Sequence, residues 1–524
     1  PRSTLFPYTT LFRSDVHLIS GESWVRQRLY GQWFYQKHFD KMATIEWIPD
    51  SFGFTQSLPQ ILAKSNGKRF WTGKLDDNDT NPFPFITFWW ESPDGSQVLT
   101  ECLAGGIGTW KKKSSRRRLM KTPLLDRPKF NYECEDFDTH PAFSEDLNRF
   151  AVFPYGKGDG GHGPTGEEVQ HNLYLHKHGK IRLKAADQYF SLVEKEIADR
   201  LPIWRDELYY EYHRGTLTSM GIVKHMNRYH ENTLPALEAL AVLTVLNCQT
   251  YSFPFEFLNE AWKMTMLNQF HDVLPGTCIP ETYDDCWDIW NWQRDGYHKL
   301  MDELQNQLNL LPLNLQDDQA EDETFEILIY NHTGFGGIKW INIPVEVFKG
   351  RNTDDYLFYD QKKKLIPSIT LPRLESPDQP LYDLPDRILL KISIEGNRLQ
   401  TISAVPKNKN KKLPEVAEGS EISVEKDLKG IIFSNGVLKA RIGLNSGALL
   451  SLEFLLDGVW KKTIAIGEKQ FSETATQLEP GAKVHSFLEL AKHFPAWNMW
   501  KESRQNPYPS FCKGVEILAT IIII

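Results

Sequence analysis

Three textures in succession predict a multidomain chain: α/β at the front, all-α in the middle and all-β at the back. The first is a strand–helix–strand rhythm near residues 44–73, which is the βαβ pattern of a parallel sheet or barrel. The second is a long run of helical periodicity over residues 186–310, rich in Leu, Glu, Ala and Trp. The third, after residue 324, is a series of short alternating segments separated by Gly, Asn and Asp turns. At 524 residues the chain has room for about three domains, each with a core of normal size.

The elements follow in order. Residues 1–14 (PRSTLFPYTTLFRS) have no clear period and resemble nothing downstream, and they read as a leader that is not native to the protein. Trp24, Leu29, Trp33 and Phe34 recur at helical spacing and predict a helix over 21–39. The β-branched and aromatic content of 44–50 predicts a short strand, followed by a helix over 57–65 and a strand over 69–73. Two further strands, 85–90 and 97–102, flank the turn Pro93-Asp94-Gly95. The rhythm breaks at 111–149. Lys111 to Lys113 and Arg116 to Arg118 form a basic cluster that reads as a solvated loop rather than a phosphate site, and the rest reads as an insertion or a stretch in the wrong frame. From 186 the helical pattern, clearest at 234–246 and 257–267, predicts a small bundle extending to 312. An acidic linker over 313–323 separates it from predicted strands at 325–330, 338–343, 387–394 and 431–442. The expected domains are therefore 15–180, 186–312 and 324–524.

Composition excludes several classes. Charged residues make up 24% and hydrophobic residues 41%, as in soluble globular proteins. The net charge of −8 provides no basic field, so nucleic acid is not an expected partner. No apolar run reaches the roughly 18 residues of a membrane span, and the closing Ile521 to Ile524 is far shorter. Six cysteines without a CxxC argue against a disulfide framework or a cysteine zinc site and fit a reducing, cytoplasmic setting. The 16 tryptophans suit sugar stacking and a large aromatic core equally well, so they do not choose between them.

Three places could carry chemistry. Asp50 ends the predicted strand 44–50, and catalytic groups collect at the carboxyl ends of such strands. Pro49 biases Ile48 to extended backbone and Gly53 permits a tight turn, so Asp50 is aimed beyond the sheet. The same Asp also reads as a cap for the helix near Ser57. His271 follows a helical segment and precedes a helix-ending Pro275-Gly276. Imidazole is a common zinc ligand, and the adjacent Asp272 could hold a hydroxyl, although a buried structural histidine reads equally well. The loop from Gly156 to Thr165 presents Asp159 and His162 among glycines and lacks the Lys-Ser/Thr ending of a phosphate cradle. By contrast, His38 and Asp40 sit on a Lys-flanked helix face and read as solvated.

These stretches resemble the signatures of the family-38 glycoside hydrolases, the retaining α-mannosidases. Trp47-Ile48-Pro49-Asp50-Ser51-Phe52-Gly53 is similar to their nucleophile motif. Asn268 to Thr277 (NQFHDVLPGT) is similar to their metal motif, and Gly158 to Thr165 to their glycine-rich loop, with His162 where glycine is usual. Gly21 to Gln27, Phe88 to Glu91, Asp94 to Ser96 and Glu211 to Gly215 add to the resemblance in the right order. It implies a partial seven-stranded β/α barrel, a helical bundle and a partial β-sandwich. It also implies hydrolysis of terminal α-mannosidic bonds with retention. Asp50 would be nucleophile and zinc ligand, His271 a second ligand, Asp272 a substrate contact and Asp159 the acid/base. The substrate would be an α-mannoside glycan. The family draws two more zinc ligands from a His-x-Asp strand, expected upstream of Asp15, where residues 1–14 contain neither His nor Asp. The chain is therefore expected to be an incomplete family member with an incomplete zinc site and little activity. A metal-dependent polysaccharide deacetylase and a non-catalytic glycan-binding protein are the rival readings.

Overall fold

The structure is a computed structural model. It describes residues 14–75, 83–102, 152, 164–179, 181–211, 213–308, 324–344, 348, 352–371, 387–407, 423–426, 430–443, 449–456 and 458–465. The chain divides into two compact units, the first reaching Leu311 and the second beginning at Pro312. The acidic linker 313–323 and the basic clusters of 111–118 lie outside the described residues.

The first unit is built on a five-stranded mixed sheet in the order β1-β2-β4-β3-β5. Its strands are β1 (Ile45–Trp47), β2 (Arg69–Thr72), β3 (Thr87–Glu91), β4 (Gln97–Cys102) and β5 (Ile203–Trp204). β1, β2 and β4 run parallel, and β3 returns antiparallel to β4 through a tight turn. That turn works because Gly95 takes φ +83° and the Asp94 carboxylate accepts from the Ser96 amide. Both faces of the sheet are covered, so its strands carry large apolar side chains on both sides. Along one face Phe70, Phe88, Trp90 and Val98 join the core that also holds Trp24 of α1 (Gly21–Phe39) and Leu58 and Leu62 of α2 (Leu58–Lys64). On the other, Trp71 and Leu99 pack against Tyr189, Phe190 and Val193.

Beyond α3 (Gly166–Lys177) lies α4 (Ala186–Glu196), which carries those last three residues. The sequence assigns everything after 186 to the bundle. In the structure α4 instead covers the sheet, and β5 pairs with β3. An amphipathic helix shows the same period whether it packs on a sheet or on other helices, so periodicity alone does not separate the two. The helical group proper consists of α5 (Gly221–Asn247), α6 (Phe255–Asn268) and α7 (Pro280–Gln307). Its interior is partly polar: His230 Nδ1 lies 2.8 Å from the Tyr297 hydroxyl, and Gln293 donates to the Ala261 carbonyl and to Thr265.

Helix α1 ties this group to the sheet. Ser20 caps its start and Asp40, in the left-handed region, ends it. Arg26 reaches one way, with both terminal nitrogens on Glu238 and its guanidinium 4.6 Å from the Trp262 ring centre. Arg28 reaches the other way and pairs with buried Glu46 of β1 at 2.5 Å.

In the second unit, β6 (Phe325–Asn331), β12 (Arg398–Pro406), β8 (Tyr356–Tyr359) and β9 (Leu365–Ile366) form one antiparallel sheet. β10 (Ser368–Leu371), β11 (Arg387–Ile394) and β7 (Gly337–Pro344) form another. Ile388, Leu390, Ile392 and Ile394 alternate inward from β11 and meet Ile327, Ile402 and Phe358 of the first sheet in one core. A third sheet is a meander of β13 (Ser423–Lys426), β14 (Gly430–Ser434), β15 (Leu438–Gly443), β16 (Leu449–Leu456) and β17 (Val459–Ala465). The chain is thus a mixed α/β multidomain protein with several sheets. Among the described residues, no helix is long and apolar enough to cross a membrane.

Candidate active site

Strand register builds the first half of the site. Trp47 of β1 pairs with Trp71 of β2, and their indoles stack at 4.0 Å. The pairing continues past both strand ends: Ile48 N–H donates to the Trp71 carbonyl, and Gly73 N–H to the Pro49 carbonyl. Asp50 and Lys74 each lie three residues beyond that tryptophan pair, so two parallel strands deliver them side by side. The Lys74 ammonium sits 2.6 Å from Asp50 Oδ1. The chain then turns at Gly53, whose φ of +107° favours glycine and where a Cβ would come within 3.2 Å of the His17 ring. Asp50 does not cap α2; Ser57 occupies that position.

The end of α6 builds the second half. After Asn268 the chain tightens into turns, with the Val273 and Leu274 amides both donating to the Phe270 carbonyl. Gly276 closes the motif at φ +87°, where a Cβ would come within 2.8 Å of the Ser219 carbonyl oxygen. Lys224 donates to the carbonyls of Ser219 and Leu274 and binds the turn to the start of α5. His271 is thereby buried against Phe270 (ring centres 4.4 Å) and the edge of Phe52 (5.9 Å).

The two halves meet although 221 positions separate them: His271 Nε2 lies 3.2 Å from Asp50 Oδ2 and 3.8 Å from Asp272 Oδ2. Burial alone would raise the Asp50 carboxyl. The hydrogen bond from His271 and the charge and hydrogen bond of Lys74 outweigh it and bring the pKa down to about 2. Asp50 is therefore an ionised carboxylate at neutral pH, 37% exposed, which suits a nucleophile open to a substrate.

A short backbone segment joins the halves. The Ser51 hydroxyl donates to the Ser14 carbonyl at 2.7 Å, and the Asp15 amide donates to the Gln269 carbonyl at 2.8 Å. Ser14 also bridges to Phe270. The buried Asp15 carboxylate holds this segment by accepting from the His17 and Leu18 amides. Behind it, Gln269 is fixed by Ser23, Asn227 and Glu231.

Of the residues singled out in the sequence, Asp50, His271 and Asp272 come together, while Asp159 and His162 lie outside the described residues. His38 and Asp40 are exposed, the His38 ring tilted against Phe34 and Asp40 serving as the helix cap. Sequence reasoning missed Lys74 and the Ser14–Asp15 segment. The signal for Lys74 was present: two strands of a parallel pair ending at equivalent places should set the residues just beyond them side by side.

Asp50 and His271 offer oxygen and nitrogen donors of the kinds that bind divalent metal ions. Among the described residues no cluster of three or more His, Cys, Asp or Glu side chains is arranged to hold an ion. The two converging donors nevertheless fit one. Their 3.2 Å separation is close to the edge of roughly 3.4 Å expected in a tetrahedral site with bonds of about 2.0–2.1 Å.

Comparison with known proteins agrees with this architecture. Residues 8–207 match the family described as glycosyl hydrolases family 38 N-terminal domain, and residues 211–308 match the alpha mannosidase middle domain. The chain belongs to the family-38 glycosyl hydrolases, a family of glycosidases. It is 36% identical over 286 residues to an alpha-mannosidase of Saccharomyces cerevisiae, covering 52% of this chain and 25% of that one. It is 35% identical over 273 residues to alpha-mannosidase 2C1 of Homo sapiens, covering 52% and 24% respectively. The chain thus spans about a quarter of the length of these curated relatives. The fold is similar to a crystal structure of an alpha-mannosidase from Enterococcus faecalis, with a TM-score of 0.51 at 17% identity over 86% of this chain and 52% of that one.

Proposed function

We propose that the protein hydrolyses terminal α-mannosidic bonds of glycans by a retaining double displacement. The observation that carries this reading is the convergence of an ionised, accessible Asp50 on His271 at 3.2 Å. In the first step the Asp50 carboxylate attacks the anomeric carbon. The departing glycosidic oxygen takes a proton from the Asp159 carboxyl, and a covalent glycosyl–Asp50 ester forms. In the second step Asp159 deprotonates a water that attacks the same carbon and releases Asp50, so two inversions give net retention. Asp272 accepts from a sugar hydroxyl, and His271 and Phe52 wall one side of the site. Asp50 and His271 would hold zinc, which supplies Lewis-acid grip on the mannose 2- and 3-hydroxyls when bound.

In this reading the five-stranded sheet with its covering helices is part of a seven-stranded β/α barrel. The group α5–α7 is the bundle, and the second unit is part of a β-sandwich whose two inner sheets share one core. We place the protein in the cytoplasm, a reading supported by the free thiols of Cys248, Cys278 and Cys286 among the described residues. Family membership favours this chemistry over a deacetylase.

The test is trapping. A 5-fluoro-mannosyl fluoride, which slows the second step, should leave its sugar on Asp50, detected by peptide mass spectrometry. Asp50→Ala should show neither labelling nor hydrolysis of an aryl α-mannoside. Label on another carboxylate, or an inverted product anomer by NMR, would contradict the assignment. A protein that binds mannosides without any labelling would point to glycan binding instead.

A further inference from the structure

We propose that Lys74 is a tethered cation at the nucleophile: its ammonium holds one oxygen of Asp50 and competes with a divalent metal ion for that carboxylate. The inference rests on reading Asp50 and His271 as metal ligands.

Three observations carry it. The contact is built by the sheet, because register past Trp47 and Trp71 sets the two residues side by side. The carboxylate is divided, with Oδ1 at 2.6 Å from the Lys74 ammonium and Oδ2 at 3.2 Å from His271 Nε2. The ammonium is also confined, 24% exposed and 5.8 Å from the centre of the Phe52 ring, so it does not range freely through solvent.

The charge balance follows. Asp50 and Lys74 sum to zero, so an ion arriving at Oδ2 meets a carboxylate that is already neutralised. A dication bonded there would lie within about 5 Å of the ammonium, and even at the dielectric constant of water that repulsion lowers affinity roughly tenfold or more. Lys74 thus holds and aims the Asp50 carboxylate while no metal is bound, and it must swing away, or lower the affinity, when one is. It is a positioning residue acting through Asp50.

Isothermal titration with zinc chloride tests this on the 524-residue chain. Lys74→Met should bind zinc about tenfold more tightly or better, because it removes the charge and keeps the bulk. Lys74→Arg keeps the charge and should stay within roughly threefold of the parent. Lys74→Met combined with His271→Ala should lose the gain. Lys74→Gln provides a second neutral variant, and circular dichroism checks that each is folded. If Lys74→Met and Lys74→Gln bind no more tightly than the parent although binding still needs His271, the proposal fails while the site reading stands. If zinc binding is absent from both neutral variants, or indifferent to His271, the assignment of metal ligands fails and takes this proposal with it.

Discussion

Replacing Arg28 with methionine should loosen the join between α1 and the strand that carries Asp50. Arg28 and Glu46 are each 1% exposed, and their contact is 2.5 Å. Arg28 also donates to the hydroxyl and carbonyl of Ser65. The other Glu46 oxygen is buried without a partner, so Arg28 is the support on which its charge depends. Removing one partner of a buried ion pair costs about 3–5 kcal/mol, whereas replacing both by apolar groups is often neutral. The effect should depend on pH. Burial already raises the Glu46 carboxyl to about 7 despite Arg28, against 4.5 in the unfolded chain. The folded form therefore binds the proton more tightly, and this contribution to stability is lost as pH rises from about 4.5 to 7. Without Arg28 the carboxyl shifts further up, so the variant should be worst at alkaline pH and partly recover near pH 6. Hydrogen exchange followed by mass spectrometry on peptides covering 21–47 reads the local opening free energy. At pH 8 protection should fall by about 150- to 5000-fold, the equivalent of 3–5 kcal/mol. Arg28→Met combined with Glu46→Leu should restore most of it. A fall of less than about fivefold, or no recovery in the double variant, would refute the account of a charge stranded by burial.

Other outcomes can be checked the same way. Gly276→Ala should destabilise the turn after His271 by about 1–3 kcal/mol, because its φ of +87° strains any side chain and the Cβ meets the backbone of Ser219; thermal melting of the variant measures this. Burial raises the Glu101 carboxyl to about 7, even though Tyr189, Thr87 and the Val152 amide all donate to it. Stability should therefore decline as pH rises from about 4.5 to 7, and Glu101→Gln should flatten that decline by an amount on the order of 3 kcal/mol in denaturant titrations at pH 5 and 8. His230 is held neutral by burial, its pKa lowered to about 3, so its contribution is present above about 6.5 and falls away on acidification towards 3. NMR of its imidazole should show no protonation at pH 5.

Much of the front half was legible because local chemistry and tertiary packing agree there. The Pro93-Asp94-Gly95 turn, the short strands beside it and the carboxyl-end position of Asp50 each need only a few neighbouring residues to be read. The motif around His271 was legible for the same reason. What could not be read depends on partners. Arg26 and Arg28 are two apart on one helix, yet they face Glu238 on α5 and Glu46 on β1. Nothing local marks Arg28 as buried or points to either partner. The role of α4 was hidden because covering a sheet and joining a bundle demand the same amphipathic pattern. Lys74 was overlooked because its meaning lies in cross-strand register rather than in its own neighbours.

The Ser14–Asp15 segment has a consequence for mutational mapping of this site. It connects the Asp50 and His271 loops through a carbonyl at 14 and an amide at 15, atoms common to almost every residue type. Exchanging Ser14 for another small residue leaves that carbonyl in place, so a substitution scan would score the position as dispensable. Deleting a single residue, or converting Asp15 to proline and so removing the amide, breaks the connection at once. Two loops far apart in sequence are thus joined through main-chain atoms, so at position 14 the importance is written in the length and path of the chain rather than in its letter.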